Sequence, residues 1–161
     1  ARDAWSRLAA LNDRMVDSPQ RTAAQDAEHV AAALRESTAG FVAAADRSDD
    51  PARRQSYLNF ARERSDFHDE LRSLRSAGVE APGREPSPRS RGWRSLFLLS
   101  QSDNWQVARV CEHAEGATLL AYRRALENPG LTAVLREALA RQYLHVKDAR
   151  DQIRGWADEA C

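Results

Sequence analysis

Apolar residues recur every three to four positions along four stretches of the chain, the spacing that lines one face of an α-helix. In the first, about residues 18–47, Val30, Leu34, Phe41 and Ala45 make the stripe, and Ser18 followed by Pro19 offers a cap and a proline suited to the first turn. The second, about residues 50–76, repeats that start at Asp50-Pro51 and carries Tyr57, Phe60, Phe67, Leu71 and Leu74 before Gly78 ends it. So short a link predicts an antiparallel hairpin. A third helix is expected over about residues 103–128, through Val107, Val110, Cys111, Ala114, Ala121 and Ala125 to the stop at Asn128-Pro129-Gly130. The fourth, about residues 131–157, places Leu131, Val134, Leu135, Ala138, Val146, Ala149, Ile153 and Trp156 on one face. These two form a second hairpin.

Residues 77–102, between the hairpins, are of another kind: Pro82, Pro86 and Pro88 lead into an apolar patch of Trp93, Leu96, Phe97, Leu98 and Leu99. A helix of about 25 residues is roughly 37 Å long, and an extended link of this size exceeds that span. The crossover can therefore run the length of the molecule and set the second and third helices parallel. The expected fold is all-α, an antiparallel four-helix bundle of the ferritin-like kind over residues 18–157, with one long crossover between helices 2 and 3. Two hairpins on a flexible linker would instead leave Trp93 to Leu99 in water, so the patch is expected to form a short helix over the bundle. Residues 1–17 are weakly amphipathic through Trp5, Leu8, Leu11 and Met15, which predicts an accessory N-terminal helix, with a dimerisation arm as the alternative.

A chain of 161 residues, 42% hydrophobic and 30% charged, can bury a full core without disulfides. Its 24 basic and 24 acidic residues cancel, so no field collects nucleic acid or an anionic membrane. No apolar run reaches the roughly 20 residues of a membrane span. The first residues, ARDAWSRLAALNDRM, lack the apolar core of a signal peptide, and a cytoplasmic protein is expected. Cys111 falls within a helical pattern and Cys161 is terminal, a poor pair for a disulfide.

Metal-carrying bundles of this architecture take one inward glutamate from each of two helices and a Glu-x-x-His pair from each of the others. Here His29, His68, His113 and His145 follow Asp26, Ser65, Val110 and Gln142 by three residues, so no such pair exists. Asp26 and His29 come nearest, but an acidic residue in the first turns suits the helix dipole equally well. Polar residues interrupt all four stripes at about one height: Ser37 and Thr38, then Arg64, then Glu115 and Thr118, then Gln142 and His145. Arg64 would place a fixed cation where a metal would sit, paired with Glu115 first or Glu112 second. The alternative is that its long side chain turns outward to solvent.

Several segments in order carry a resemblance: Glu36-Ser37-Thr38-Ala39-Gly40-Phe41 with Ala44 and Ala45; Phe60-Ala61 with Arg64, Phe67 and Glu70-Leu71; and Arg91-Gly92-Trp93. They continue in Cys111-Glu112-His113-Ala114-Glu115, Ala121-Tyr122-Arg123, Arg141-Gln142 and Asp151-Gln152-Ile153-Arg154. Over roughly residues 27–156 the chain resembles a bacterial family of ferritin-like four-helix-bundle proteins known as a domain of unknown function, named after a Pseudomonas member. The resemblance implies that bundle fold and no agreed activity. The chain departs from the family at Arg150, where similar members often have histidine, and at Ala39, where a charged residue is common.

The expected function is that of a non-enzymatic bundle without a cofactor, acting by association with a protein partner or as a homo-oligomer, a stress response being one setting. Its contact surface would be the crossover patch and amino-terminal helix, through Trp5, Trp93, Phe97 and Leu98. The alternative is a di-iron type oxidase or iron-binding protein holding iron or manganese on Glu36, Glu63, Asp66, Glu112 and Glu115.

Overall fold

The computed structural model describes residues 22–77, 91–98 and 103–159 of the chain. They form α1 (Ala23–Asp46), α2 (Pro51–Ala77), α3 (Arg91–Leu98), α4 (Asn104–Glu127) and α5 (Ala133–Asp158), with no strand among the described residues. Ser18, Pro19, Gly78 and the whole accessory segment with Trp5 lie outside them.

Helix α1 starts at Ala23, later than the cap expected at Ser18, because Thr22 stops the helix from extending backwards. Its backbone is extended, its hydroxyl accepts the Gln25 N–H, and the Gln25 side chain accepts the Thr22 N–H. Thr132 caps α5 by accepting the Leu135 N–H, so that helix opens at Ala133. In α2, Pro51 occupies the first turn, where its missing N–H costs nothing, and the Asp50 carboxylate accepts the Ala52 N–H.

Pairs of bonded residues fix the helix directions. Asp26 meets Asn128, Ser37 meets Glu115 and Asp49 meets Asn104, so α1 and α4 run antiparallel. Helix α5 is antiparallel to α4 through Arg109–Asp158 and Tyr122–Gln142, and to α2 through Arg53–Glu159 and Arg141–Glu70. Glu28–Arg75 closes the α1–α2 hairpin. It follows that α2 and α4 are parallel and that the chain leaves α2 at one end of the bundle and enters α4 at the other. The diagonal pairs are α1 with α5 and α2 with α4; α3 lies against α1 and α4.

Two apolar clusters make up the core. Phe41, Tyr57, Trp93, Leu96, Val107, Cys111 and Ile153 belong to one, and Val30, Leu34, Phe67, Leu71, Leu119, Leu139 and Val146 to the other. Val134, expected on the inner stripe of the last helix, is 60% exposed, since it lies in the first turn of α5 where few neighbours reach it. Trp156 is half-buried, with the Arg53 guanidinium 5.6 Å from its ring centre.

The seat of α3 is cut to the indole it receives. A Cβ added at Gly40 would lie 2.0 Å from Trp93 Cε3, and the Trp93 ring stands edge-on to Phe41 at 5.1 Å between centres. Alanine is the better helix former by about 1 kcal/mol, yet Gly40→Ala must push a rigid ring aside. We expect a net loss of about 1 to 3 kcal/mol, as for other overpacked sites. A urea melt checks it, and a variant as stable as the parent would show that Trp93 can move freely.

Candidate functional site

Arg64 sits on the inward stripe of α2 with its side chain wholly enclosed, between the two apolar clusters. Nη2 donates to Glu115 Oε2 at 3.0 Å and Nη1 donates to Glu63 Oε1 at 2.6 Å. The first of these bonds joins the diagonal helices α2 and α4 through the middle of the bundle. Glu115 Oε1, on the far side, accepts from the Ser37 hydroxyl and, at 3.5 Å, from Thr118 Oγ1. The carboxylate is thus tied to three helices. The rings of Phe41 and Phe67 flank the guanidinium at 5.6 and 6.0 Å, where their negative faces favour a cation.

Burial works against the charge on Arg64, but Glu115 and then Glu63 outweigh it, so the group is held more firmly protonated than a free arginine. Its Nε–H has no partner among the described residues. This arrangement costs desolvation free energy on both ions and returns it through charge-assisted hydrogen bonds, an exchange that specifies helix register more than it adds net stability.

A second set of buried hydrogen bonds centres on Gln142. Gln142 is fully buried; its amide N–H donates to Glu70 Oε2 at 2.9 Å and to the Phe67 carbonyl at 3.4 Å, while its Oε1 accepts from the Tyr122 hydroxyl at 2.8 Å. Burial pushes the Tyr122 phenol well above its ordinary range, with Arg64 pulling against that, so it stays a neutral donor. Cys111 is also enclosed. Burial, then the charge of Glu115, raises its thiol far above the usual value, which leaves it protonated and a poor nucleophile. The Tyr57 hydroxyl, raised by burial in the same way, is buried without a hydrogen-bond partner among the described residues.

Of the residues expected in a central polar layer, the structure brings together Ser37, Arg64, Glu115 and Thr118, and buries Gln142 in the separate set of bonds to Tyr122, Glu70 and Phe67. It leaves three others apart. Thr38 is half-buried and donates to the Leu34 carbonyl of its own helix at 2.9 Å, the local bond a mid-helix threonine readily makes. His145 is exposed at the rim, with Nδ1 3.5 Å from Glu63 Oε2 and its ring edge-on to Phe67, because it lies one side of the buried Gln142–Val146 stripe. Glu112 is buried but faces α5, where Arg154 Nε donates to it at 2.8 Å, and Arg109 Nη1 of its own helix donates at 3.1 Å.

The carboxylates proposed as alternative metal ligands do not converge. Asp66 is exposed, Glu36 is half-buried, Glu112 is held by two arginines, and Glu63 and Glu115 are both committed to Arg64. Among the described residues no group of three or more His, Cys, Asp or Glu side chains is arranged to hold a metal ion. Asp26 accepts from Asn128 Nδ2 at 2.9 Å, tying α1 to the α4–α5 turn rather than making a pair with His29. Of the expected contact residues, Trp93 is buried in the core and Trp5 lies outside the described residues, as do the side chains of Phe97 and Leu98.

Three participants were not expected in the polar layer, although Tyr122 and Glu70 fall in segments that carry the family resemblance. Glu63 entered it only as a possible metal ligand, although its place next to Arg64 gives a long carboxylate the reach to the same guanidinium. Tyr122 lies two helical turns from Glu115 and one from Thr118, a spacing that puts it on the same face. Glu70, one turn beyond Phe67, carried no comparable signal. In comparisons with known proteins, no family model matches the chain and no curated protein matches it at a significant level.

Proposed function

We propose that the chain is a non-enzymatic helical bundle of ferritin-like connectivity that binds no iron or manganese and works by associating with a protein, either a partner or further copies of itself. The observation that carries this reading is the Arg64 guanidinium, which occupies with its carboxylates the centre that a di-metal site would need. A cation brought there would meet a fixed positive charge in a low-dielectric interior and two carboxylates already engaged. The resemblance to the bacterial ferritin-like family supports the connectivity. Among the described residues no helix is long and apolar enough to cross a membrane.

Elemental analysis of protein purified after growth with added iron and manganese tests the reading. We expect metal well below one atom per chain, with no change on Glu115→Ala. Stoichiometric iron or manganese that survives desalting and is lost in Glu115→Ala would replace the proposal with the metal-dependent oxidase or iron-binding alternative. Sedimentation over a range of concentrations, with and without candidate partners, tests the association itself.

A further inference from the structure

The arginines along the seam between α4 and α5 are of two kinds. Arg109 and Arg154 spend their guanidinium groups on the carboxylates of Glu112 and Asp158. Arg123 and Arg150 are anchored instead through Nε to neutral oxygens across the seam: Arg123 donates to the Tyr143 hydroxyl at 3.1 Å and Arg150 to the Glu112 carbonyl at 3.2 Å. Arg150 is also seated on Gly116, where an added Cβ would lie 3.4 Å from Nη2 and 3.6 Å from Cζ. A guanidinium held at Nε keeps its Nη1–Nη2 edge for a second acceptor, and among the described residues no acceptor meets either edge. Gly116 and Arg123 are two turns apart on α4, as Tyr143 and Arg150 are on α5, which spaces the two anchored arginines about 10 Å along the seam. One turn from each stand Leu120, 47% exposed, and Lys147, whose ammonium lies 3.7 Å from the exposed Asp151 carboxylate. Helix α3 touches α1 and α4 but not α5, so it leaves this seam uncovered.

We propose that this stretch of the α4–α5 seam binds an acidic helix of a partner protein, one with two carboxylates two turns apart and an apolar side chain between them. Each carboxylate takes the free edge of one arginine in a two-pronged, charge-assisted contact, and the apolar side chain covers Leu120. The charges call for an anion: two guanidinium groups with unneutralised edges stand beside an ammonium, in a chain whose basic and acidic residues otherwise cancel. Leu120 chooses among anions. A polyphosphate would lay charge over an exposed leucine, whereas an amphipathic helix sets an apolar group against it. The anchoring bonds matter as much as the charges, because side chains already fixed at Nε lose little freedom on binding. The proposal names a surface and a partner chemistry for the association reading above, and rests on it.

The probe is an alanine-rich synthetic helix of about 20 residues, carrying two glutamates seven positions apart and a leucine four positions after the first, titrated into the full chain by calorimetry. We expect saturable binding that weakens as salt is added, and binding at least about tenfold weaker when Arg123→Gln and Arg150→Gln are combined. The same peptide with glutamine in place of its glutamates should bind no better than that variant binds the original. Arg124→Gln removes a neighbouring exposed cation and should leave the affinity unchanged. Should the double variant lose helical circular dichroism, Arg123→Gln alone decides, since that side chain is exposed, and it should weaken binding at least about threefold. No saturable binding by the unmodified chain would overturn the proposal. So would a folded variant that binds as well as the parent, a loss on Arg124→Gln as large as on Arg123→Gln, or tighter binding of polyphosphate than of the peptide. A chain that sediments with a partner or with itself but does not bind the peptide would reject this surface and leave the association reading standing. Peptide binding by a chain that also carries stoichiometric metal would support the surface and remove that reading.

Discussion

Replacing Arg64 with leucine is expected to cost the fold about 3 to 5 kcal/mol, the penalty for breaking a buried ion pair by removing one partner. The size of the loss is set by Glu115. Its carboxylate is fully enclosed and tied to Ser37 and Thr118, so it cannot turn to water when the guanidinium goes. Glu63 has about a third of its side chain exposed, and can swing outward toward His145 at little cost. Glu63→Ala should therefore cost far less than Arg64→Leu. Replacing Arg64 and Glu115 together with leucine removes both charges from the interior, and we expect the double variant to regain at least half of the loss. Urea denaturation of the parent, the two single variants and the double variant measures the coupling. A cycle with no coupling would show that the two charges do not meet in the folded protein.

Truncating Trp93 to alanine is expected to lose about 3 kcal/mol, at the low end for a buried tryptophan. The ring is 5% exposed and packs on Phe41 and the Gly40 notch, so its whole apolar area is at stake. The loss is held near that value if the short α3, which packs on α1 and α4, shifts inward to close part of the cavity. For a chain of this size the change corresponds to a fall of roughly 6 to 12 °C in melting temperature. Helical circular dichroism should drop only by the share of one short helix. Collapse of the whole helical signal would mean that α3 is integral to the bundle, and an unchanged melting temperature would mean that Trp93 contributes no packing.

The two variants probe parts of the molecule that the sequence displays very differently. Arg64 announces itself, because a permanent charge between Phe60 and Phe67 breaks a periodic apolar stripe and a glutamate breaks the next helix at the matching height. Its second carboxylate did not, since Glu63 reads as one more exposed acid on a charged helix. The notch at Gly40 was equally hidden. A glycine within a helix says only that something requires it, and the indole that fills it lies more than fifty residues along the chain. His145 erred the other way: it stands one position from a buried stripe, and a shift of about 100° around a helix separates core from rim.

What the chain determines by itself is local: where apolar residues repeat at helical spacing, where proline, glycine and capping side chains interrupt them, and how short the links within each hairpin are. Those features follow from backbone geometry and from hydrogen bonds among near neighbours, as at Thr22 and Gln25. Only the tertiary structure decided which of the plentiful charged residues meet. Glu115 pairs with Arg64 while Glu112, three residues away, turns to Arg154 and Arg109, a difference set by how α4 is rotated against α2 and α5. Helix rotation and close approach depend on the summed packing of side chains distant in sequence, and no window of the chain contains that sum.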